Sequence, residues 1–209
     1  MDRTLDRPGS EVSAPVRLAV FASGRGSNFV AIADAIDDGR LRAEIAVVIS
    51  NNSTAGALQT ARARGIATAH ISGKTHDDPG AAVLATLAEH RAEVIVLAGY
   101  MKRLDPRVCD AFAERALNIH PAPLPRFGGK GMFGIHVHEA VLAAGAEASG
   151  PTVHWVTDAY DEGAVLAHRP VPVEPDDTPQ SLAARVLEAE HDLYWRVLAE
   201  RFAGGPPAT

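Results

Sequence analysis

A doubly wound α/β fold with a mostly parallel sheet is what this sequence predicts, on three observations. Short apolar runs recur without polar alternation: residues 17–23 (RLAVFAS), 43–50 (AEIAVVIS) and 93–98 (EVIVLA). Strands of that kind are covered on both faces, as in a parallel sheet. Helix-period segments separate the runs, which gives the strand–helix–strand succession of a doubly wound fold. A glycine-rich turn, Gly24-Arg25-Gly26-Ser27-Asn28, stands where the first run gives way to a helix.

The elements follow in order. The first strand, 17–23, leads through the glycine turn into a helical pattern at Ile32 and Ile36. Residues 43–50 form the second strand, and 55–64 a helix closed by Gly65. Residues 66–71 read as a third strand. Asp77-Asp78-Pro79 then opens a helix running to about His90, since Asp caps a helix and Pro suits its first turn. Residues 93–98 are the fourth strand, and 115–119 the end of another. Cys109 lies at helical spacing with Val108 and Phe112, the setting of a buried structural thiol. Beyond this the character changes. A loop over 121–134 holds many glycines, and 138–144 reads as a short helix. Two strands, 152–157 and 164–173, are joined by an acidic turn over 158–163. The last helix runs from Thr178 to about Phe202, with apolar positions at Leu182, Val186, Leu193 and Val197.

Bulk properties narrow the function. A chain of 209 residues forms one domain or two small ones. We expect one, over 16–203, between a flexible N-terminal tail (1–15) and a flexible C-terminal end (204–209). The net charge of -6 opposes nucleic-acid binding, which needs a basic surface. It still permits a small anionic ligand, because a nest of backbone N–H groups binds phosphate on an acidic protein. A single cysteine leaves no disulfide framework and no cysteine-based zinc site. No apolar run has the length of a membrane span or the form of a signal peptide, so the expectation is a cytoplasmic enzyme.

The chemistry centres on Asn118-Ile119-His120-Pro121. Two positions apart on a strand, Asn118 and His120 project from one face. They set a neutral donor beside a group that titrates near neutrality, the oxyanion stabiliser and proton carrier that acyl transfer to an amine requires. The alternative is a buried Asn and His that satisfy loop carbonyls. The glycine turn offers free N–H groups at a helix N-terminus, a phosphate site or merely a capped turn. It is not the dinucleotide fingerprint, since Phe29 stands where that pattern wants Gly or Ala, and no Gly-Lys-Ser/Thr follows. His136 and His138 alternate like a metal pair without an acidic neighbour, which favours surface or supporting roles. His154 shares a strand face with Thr152 and Val156, from which it can point toward Asp161 and His120.

Six stretches in fixed order resemble the folate-dependent formyltransferases that act on glycinamide ribonucleotide. They are FASGRGSN (21–28), Ser50-Asn51-Asn52, VLAGYMKRL (96–104), LNIHPAPLP (117–125), TVHWVTDAYDEG (152–163) and ARVLEAEH (184–191). The resemblance spans 17 to about 202 and implies a single-domain, Rossmann-like formyltransferase fold. It implies direct attack of the ribonucleotide amine on the formyl carbon of 10-formyltetrahydrofolate, the co-substrate, in purine synthesis. Asn118, His120 and Asp161 are then catalytic: Asn118 on the oxyanion, His120 as an imidazolium and proton relay, and Asp161 raising the His120 pKa. Gly26, Ser27, Asn28 and Glu190 bind the ribonucleotide. Met101, Lys102, Arg103, Leu104, Asn118 and Arg115 meet the folate, and His154 supports. No metal and no covalent intermediate are implied. The partners are these small molecules, with neither nucleic acid nor membrane, in a monomer or homodimer.

The chain departs from the family pattern in four places. Ala122 replaces a Ser, and the glycine-rich 128–134 segment lengthens a loop beside the site. Lys102 stands where Arg is frequent, and no Arg appears near 74–79. Lys130 in the lengthened loop offers its charge to the phosphate, to the folate tail or only to solvent. Rival readings are a formyltransferase for another amine, a formyltetrahydrofolate hydrolase with the same three residues, and a non-catalytic nucleotide-binding module.

Overall fold

Strands and helices alternate through the first half of the chain: β1 (Val16–Phe21), α1 (Ser27–Asp37), β2 (Ala43–Ser50), α2 (Gly56–Ala63), β3 (Thr68–His70), α3 (Pro79–Glu89), β4 (Val94–Leu97), α4 (Pro106–Ala111) and β5 (Ala116–His120). The second half adds α5 (Ile135–Ala143), β6 (Ala148–Ser149), β7 (Thr152–Trp155), β8 (Val165–His168), β9 (Val171–Pro172) and α6 (Pro179–Phe202). This structure, a computed structural model, describes residues 14–202. The expected tails fall outside the described residues except for Ala14 and Pro15, which are exposed and irregular.

Seven strands form one sheet in the order β3-β2-β1-β4-β5-β7-β8. β1 to β5 pair in parallel, while β7 runs antiparallel on β5 and β8 antiparallel on β7. The doubly wound, mostly parallel α/β fold is therefore the one observed, in a single domain. The continuous apolar runs have a direct cause. Leu18 and Val20 enter one core cluster with α1, α2 and α6, while Ala19 and Phe21 enter a second with α3 and α4. Val94 and Val96 divide from Ile95 and Leu97 in the same way. A strand covered by helices on both faces has no side for polar residues.

The chain moves outward from β1 through β2 to β3, then resumes on its other side with β4 and β5. The ends of β1 and β4 thus flank a topological switch point, where open sheets bind ligands. The segments leaving them are tied together: the Ser23 amide donates to the Gly99 carbonyl at 3.0 Å, and the Met101 amide to Ser23 Oγ at 2.8 Å. A third, smaller cluster of Ala122, Phe127, Val137, Val141, Leu182 and Val186 packs α5 and the start of α6 beneath the loop that follows His120.

Several elements differ from the sequence expectation. β3 keeps only three residues, and Ile66 packs on the core without joining the ladder. The strand expected over 164–173 is two: β8 pairs with β7, while β9 pairs with β6 in a separate ribbon. Pro170 lies between them and has no N–H to continue a ladder. α5 begins at Ile135, three residues before the expected start. α4 starts at Pro106, where the Asp105 carboxylate accepts from the Arg107 amide. Cys109 is buried within α4, its thiol pKa raised by that burial, as a structural thiol should be. Among the described residues no helix is long and apolar enough to cross a membrane.

Tyr194 of α6 locks the sheet where it opens into the site. Its ring is fully buried, and its hydroxyl lies 3.1 Å from the Leu97 carbonyl at the end of β4 and 2.9 Å from the Leu117 carbonyl near the start of β5. Tyr194→Phe strips both buried carbonyls of that donor. It is expected to lower the unfolding free energy by about 1–2 kcal/mol in urea titrations, and an unchanged midpoint would count against this lock.

Candidate active site

The site is assembled where β5, β7 and the acidic turn meet. Antiparallel pairing sets Asn118 directly opposite His154 and His120 opposite Thr152. Asn118 Nδ2 lies 3.0 Å from His154 Nε2, and His154 Nδ1 lies 2.8 Å from the Trp155 carbonyl. A carbonyl only accepts, so Nδ1 carries the His154 proton and Nε2 accepts from the Asn118 amide. This fixes the orientation of Asn118 and leaves its second amide hydrogen uncommitted.

His120 is fixed in a similar way. Its Nε2 donates to the Phe127 carbonyl at 2.7 Å, so the neutral ring has an open Nδ1. That nitrogen is 3.6 Å from Asp161 Oδ2, and His154 Nε2 is 3.5 Å from Asp161 Oδ1. Both separations exceed a good hydrogen bond, and each becomes a charge contact only when its ring is protonated. Asp161 itself adopts a left-handed backbone with φ 57°, uncommon for a residue other than glycine and frequent at functional sites. Its carboxylate also accepts from the Gly129 amide at 2.9 Å. Gly128 permits that approach, because a Cβ there would stand 2.4 Å from Leu124 Cδ2 and 3.0 Å from Asp161 Cβ.

The electrostatics correct one expectation. His120 is only 3% exposed, and burial pushes its pKa below the usual value. The Asp161 charge and the Phe127 carbonyl pull it upward without reversing the shift. Asp161 supports the charged ring as expected, but desolvation is the larger influence and favours the neutral imidazole at rest. Burial likewise raises Asp161, yet His154, His120 and the Gly129 amide together leave its carboxyl below its ordinary value.

One cavity of about 400 Å³ gathers the candidates. Asn118, His120, His154 and Asp161 line it, as do Met101 to Leu104 from the segment after β4 and the side chains of Asn28 and Glu190. Asn28 Nδ2 donates to Glu190 Oε2 at 2.6 Å, and Asn28 Oδ1 is buried without a partner. Burial raises the Glu190 carboxyl to about 7, against which Asn28 acts only in part. A second cavity of about 340 Å³ lies beside the first, lined by Arg25, Ser27, Leu187 and His191. The neighbours Ser27 and Asn28, and His191 and Glu190, divide between the two, so α1 and α6 each contribute to both cavities. Gly26 ends the glycine turn at φ 80° and caps α1. A Cβ there would stand 2.6 Å from Ala57 Cβ, so close packing of α2 requires glycine at that position.

Arg115 does not belong to this constellation. It is exposed before the start of β5, donates to the Glu93 and Ala111 carbonyls and stacks on the Phe112 ring. Asn118 and His120 lie toward the other end of that strand, and Arg115 is not among the residues lining the cavity that holds them. The histidine pair also separates. His136 is exposed and meets Glu139 at 3.0 Å, an acidic neighbour the sequence reading overlooked. His138 is buried, and its pKa is lowered by burial and by nearby His120. Sequence reasoning missed Arg25 and His191 in the second cavity and Phe133 and Tyr160 at the mouth of the first. For Arg25 the signal was present, since it sits inside the glycine turn. For His191 it was adjacency to Glu190.

Comparisons with known proteins show the family of this chain. The family described as formyl transferase matches residues 16–198. A phosphoribosylglycinamide formyltransferase of Vigna unguiculata is 44% identical over 87% of this chain, which spans 59% of that relative's length. The Escherichia coli enzyme of the same name is 35% identical, the match covering 88% of this chain and 86% of the relative. A solved phosphoribosylglycinamide formyltransferase from Brucella melitensis superposes with a TM-score of 0.82 at 41% identity, covering 93% of this chain and 99% of that one. A formyltetrahydrofolate deformylase from Pseudomonas syringae is more distant at 26% identity and a TM-score of 0.79, covering 90% of this chain and 61% of its own.

A buried carboxyl raised toward neutrality weakens the fold as pH rises. Below about 4.5 Glu190 is protonated folded and unfolded alike; above that only the unfolded chain ionises freely, and stability falls until pH passes about 7. Glu190→Gln is expected to remove this loss, raising the unfolding free energy at pH 8 relative to pH 5 by up to roughly 3 kcal/mol against wild type. Chemical denaturation at the two pH values measures it, and equal pH dependence in both proteins would exclude a raised Glu190.

Proposed function

The chain belongs to the formyl transferase family, and from that premise we propose that it transfers the formyl group of 10-formyltetrahydrofolate to the amine of glycinamide ribonucleotide. One observation carries the reading. The cavity that holds Asn118, His120 and Asp161 and a second at the glycine turn are both lined by α1 and α6, a layout that suits a substrate with a phosphate at one end and an amine at the other.

The phosphate would lie at the start of α1, where Gly26 and Ser27 bring backbone N–H groups and a positive helix end. Arg25 adds a charge there. Asn28 and Glu190 would hold the glycinamide end, with the open Asn28 Oδ1 as an acceptor. A substrate N–H beside Glu190 favours its ionised form, which burial otherwise opposes. Met101, Lys102, Arg103 and Leu104, together with Asn118, line the side left for the folate.

The hydrogen-bond assignments support the following reaction path. The amine nitrogen attacks the formyl carbon, and the carbonyl electron pair moves onto oxygen. Asn118 donates its uncommitted amide hydrogen to that oxyanion. His120, neutral at rest, takes the proton of the attacking nitrogen at Nδ1, and the Asp161 carboxylate steadies the imidazolium that forms. Collapse of the intermediate breaks the bond from carbon to the folate nitrogen, which receives the proton from His120. Holding both substrates in contact supplies much of the acceleration.

Formyl transfer measured with and without glycinamide ribonucleotide tests this. We expect turnover that depends on the amine and falls by about 10²–10⁴-fold in His120→Ala. Folate turnover indifferent to the ribonucleotide would replace the proposal with hydrolysis. Amine-dependent turnover that survives His120→Ala would keep the function and refute the proton path.

A further inference from the structure

The mouth of the main cavity carries apolar surface that the reacting centre does not use. Among the described residues four large apolar side chains are prominently exposed: Met101, Phe133, Tyr160 and Val165, at 45% to 50%. Three of them, Met101, Phe133 and Tyr160, line this one cavity. Singly exposed apolar residues are ordinary, but convergence on one opening marks a binding surface. The three come from separate segments: the stretch after β4, the glycine-rich loop and the acidic turn.

Each segment is held behind its apolar residue. The Met101 amide donates to Ser23 Oγ at 2.8 Å. Phe133 donates its amide to the Gly131 carbonyl at 3.1 Å, and its ring stands edge-on to His136 with centroids 5.9 Å apart. Tyr160 precedes Asp161, whose carboxylate accepts from the Gly129 amide. The loop bearing Phe133 and the turn bearing Tyr160 are therefore tied to each other. Gly129, Gly131 and Gly134 adopt φ of 95°, 93° and 57°, so the path that presents Lys130 and Phe133 requires glycine around them.

The opening also carries three cations, beside the Asp161 carboxylate of the acidic turn. Lys102, Arg103 and Lys130 line the same cavity, are exposed, and enter none of the ion pairs found among the described residues. Aromatic faces beside free cations complement a flat ring that carries carboxylates. Taking the folate as formyl donor, we propose that Phe133 and Tyr160 grip the benzoyl ring of the folate against Met101 while Lys130 meets its glutamate carboxylates. The glycine-rich loop then determines specificity for the tail of the donor, a task separate from the chemistry at His120.

Steady-state kinetics with two donors test this: formyltetrahydrofolate and the matching formyltetrahydropteroate, which lacks the glutamate. Phe133→Ala is expected to raise KM for both donors about tenfold, with kcat and the ribonucleotide KM holding, and Phe133→Tyr is expected to restore it. Lys130→Ala is expected to raise KM about threefold for the glutamate-bearing donor alone. An unchanged donor KM in Phe133→Ala, or an equal effect of Lys130→Ala on both donors, overturns the proposal. Direct calorimetric binding of tetrahydrofolate separates this from the reading of function. If wild type binds folate without transferring formyl, the reaction assignment fails, and about tenfold weaker binding by Phe133→Ala still supports the mouth. Equal binding by wild type and Phe133→Ala refutes it.

Discussion

The antiparallel pairing of β7 on β5 is the constraint from which the site follows. A wholly parallel sheet would carry the chain from β5 into a crossover, and the next strand would leave its side chains at the same edge in the same direction. Reversal instead brings His154 opposite Asn118 and carries the chain back toward Ala116, from where the following turn folds over to set Asp161 beside His120 and His154. Four polar side chains then meet across one strand pair. The hydrogen bonds behind them, to the Trp155 and Phe127 carbonyls, decide which ring nitrogens hold protons before any substrate arrives. Chemistry that needs one donor and one acceptor in fixed orientation is met here by backbone geometry.

That geometry works against solvation. Burial lowers the basicity of His120 and raises the Glu190 carboxyl, each away from its charged form. Groups shifted by desolvation beside specific partners are frequent at reacting centres, because a pKa near the working pH lets a proton move in either direction. Asp161 opposes burial without reversing it, a balance that suits the proton transfer proposed for His120. The same turn anchors the glycine-rich loop through the Gly129 amide, so the charge that steadies His120 also organises the mouth of the cavity.

Much of this was legible in the sequence, for reasons that differ by element. β1, β2 and β4 stand out because two-sided burial leaves an unbroken apolar run. The facing of Asn118 and His120 follows from the two-residue period of a strand. Period does not say which end of a strand meets the ligand, and Arg115 was assigned to the site although it precedes β5. The break between β8 and β9 was marked by Pro170, yet the apolar residues on both sides read as one strand. The protonation of His120 was misjudged because a sequence names the neighbouring carboxylate and is silent on how dry the pocket is. Phe133 and Tyr160 gave no periodic signal; only the fold brings their loops to one opening.

Titration of the His120 ring by nuclear magnetic resonance, in wild type and Asp161→Asn, tests the central claim most directly. The account predicts a wild-type pKa below 6.5, a neutral ring protonated at Nε2, and a still lower pKa once the Asp161 charge is removed. A wild-type value above 6.5, a neutral ring protonated at Nδ1, or a pKa that fails to fall in Asp161→Asn would contradict it.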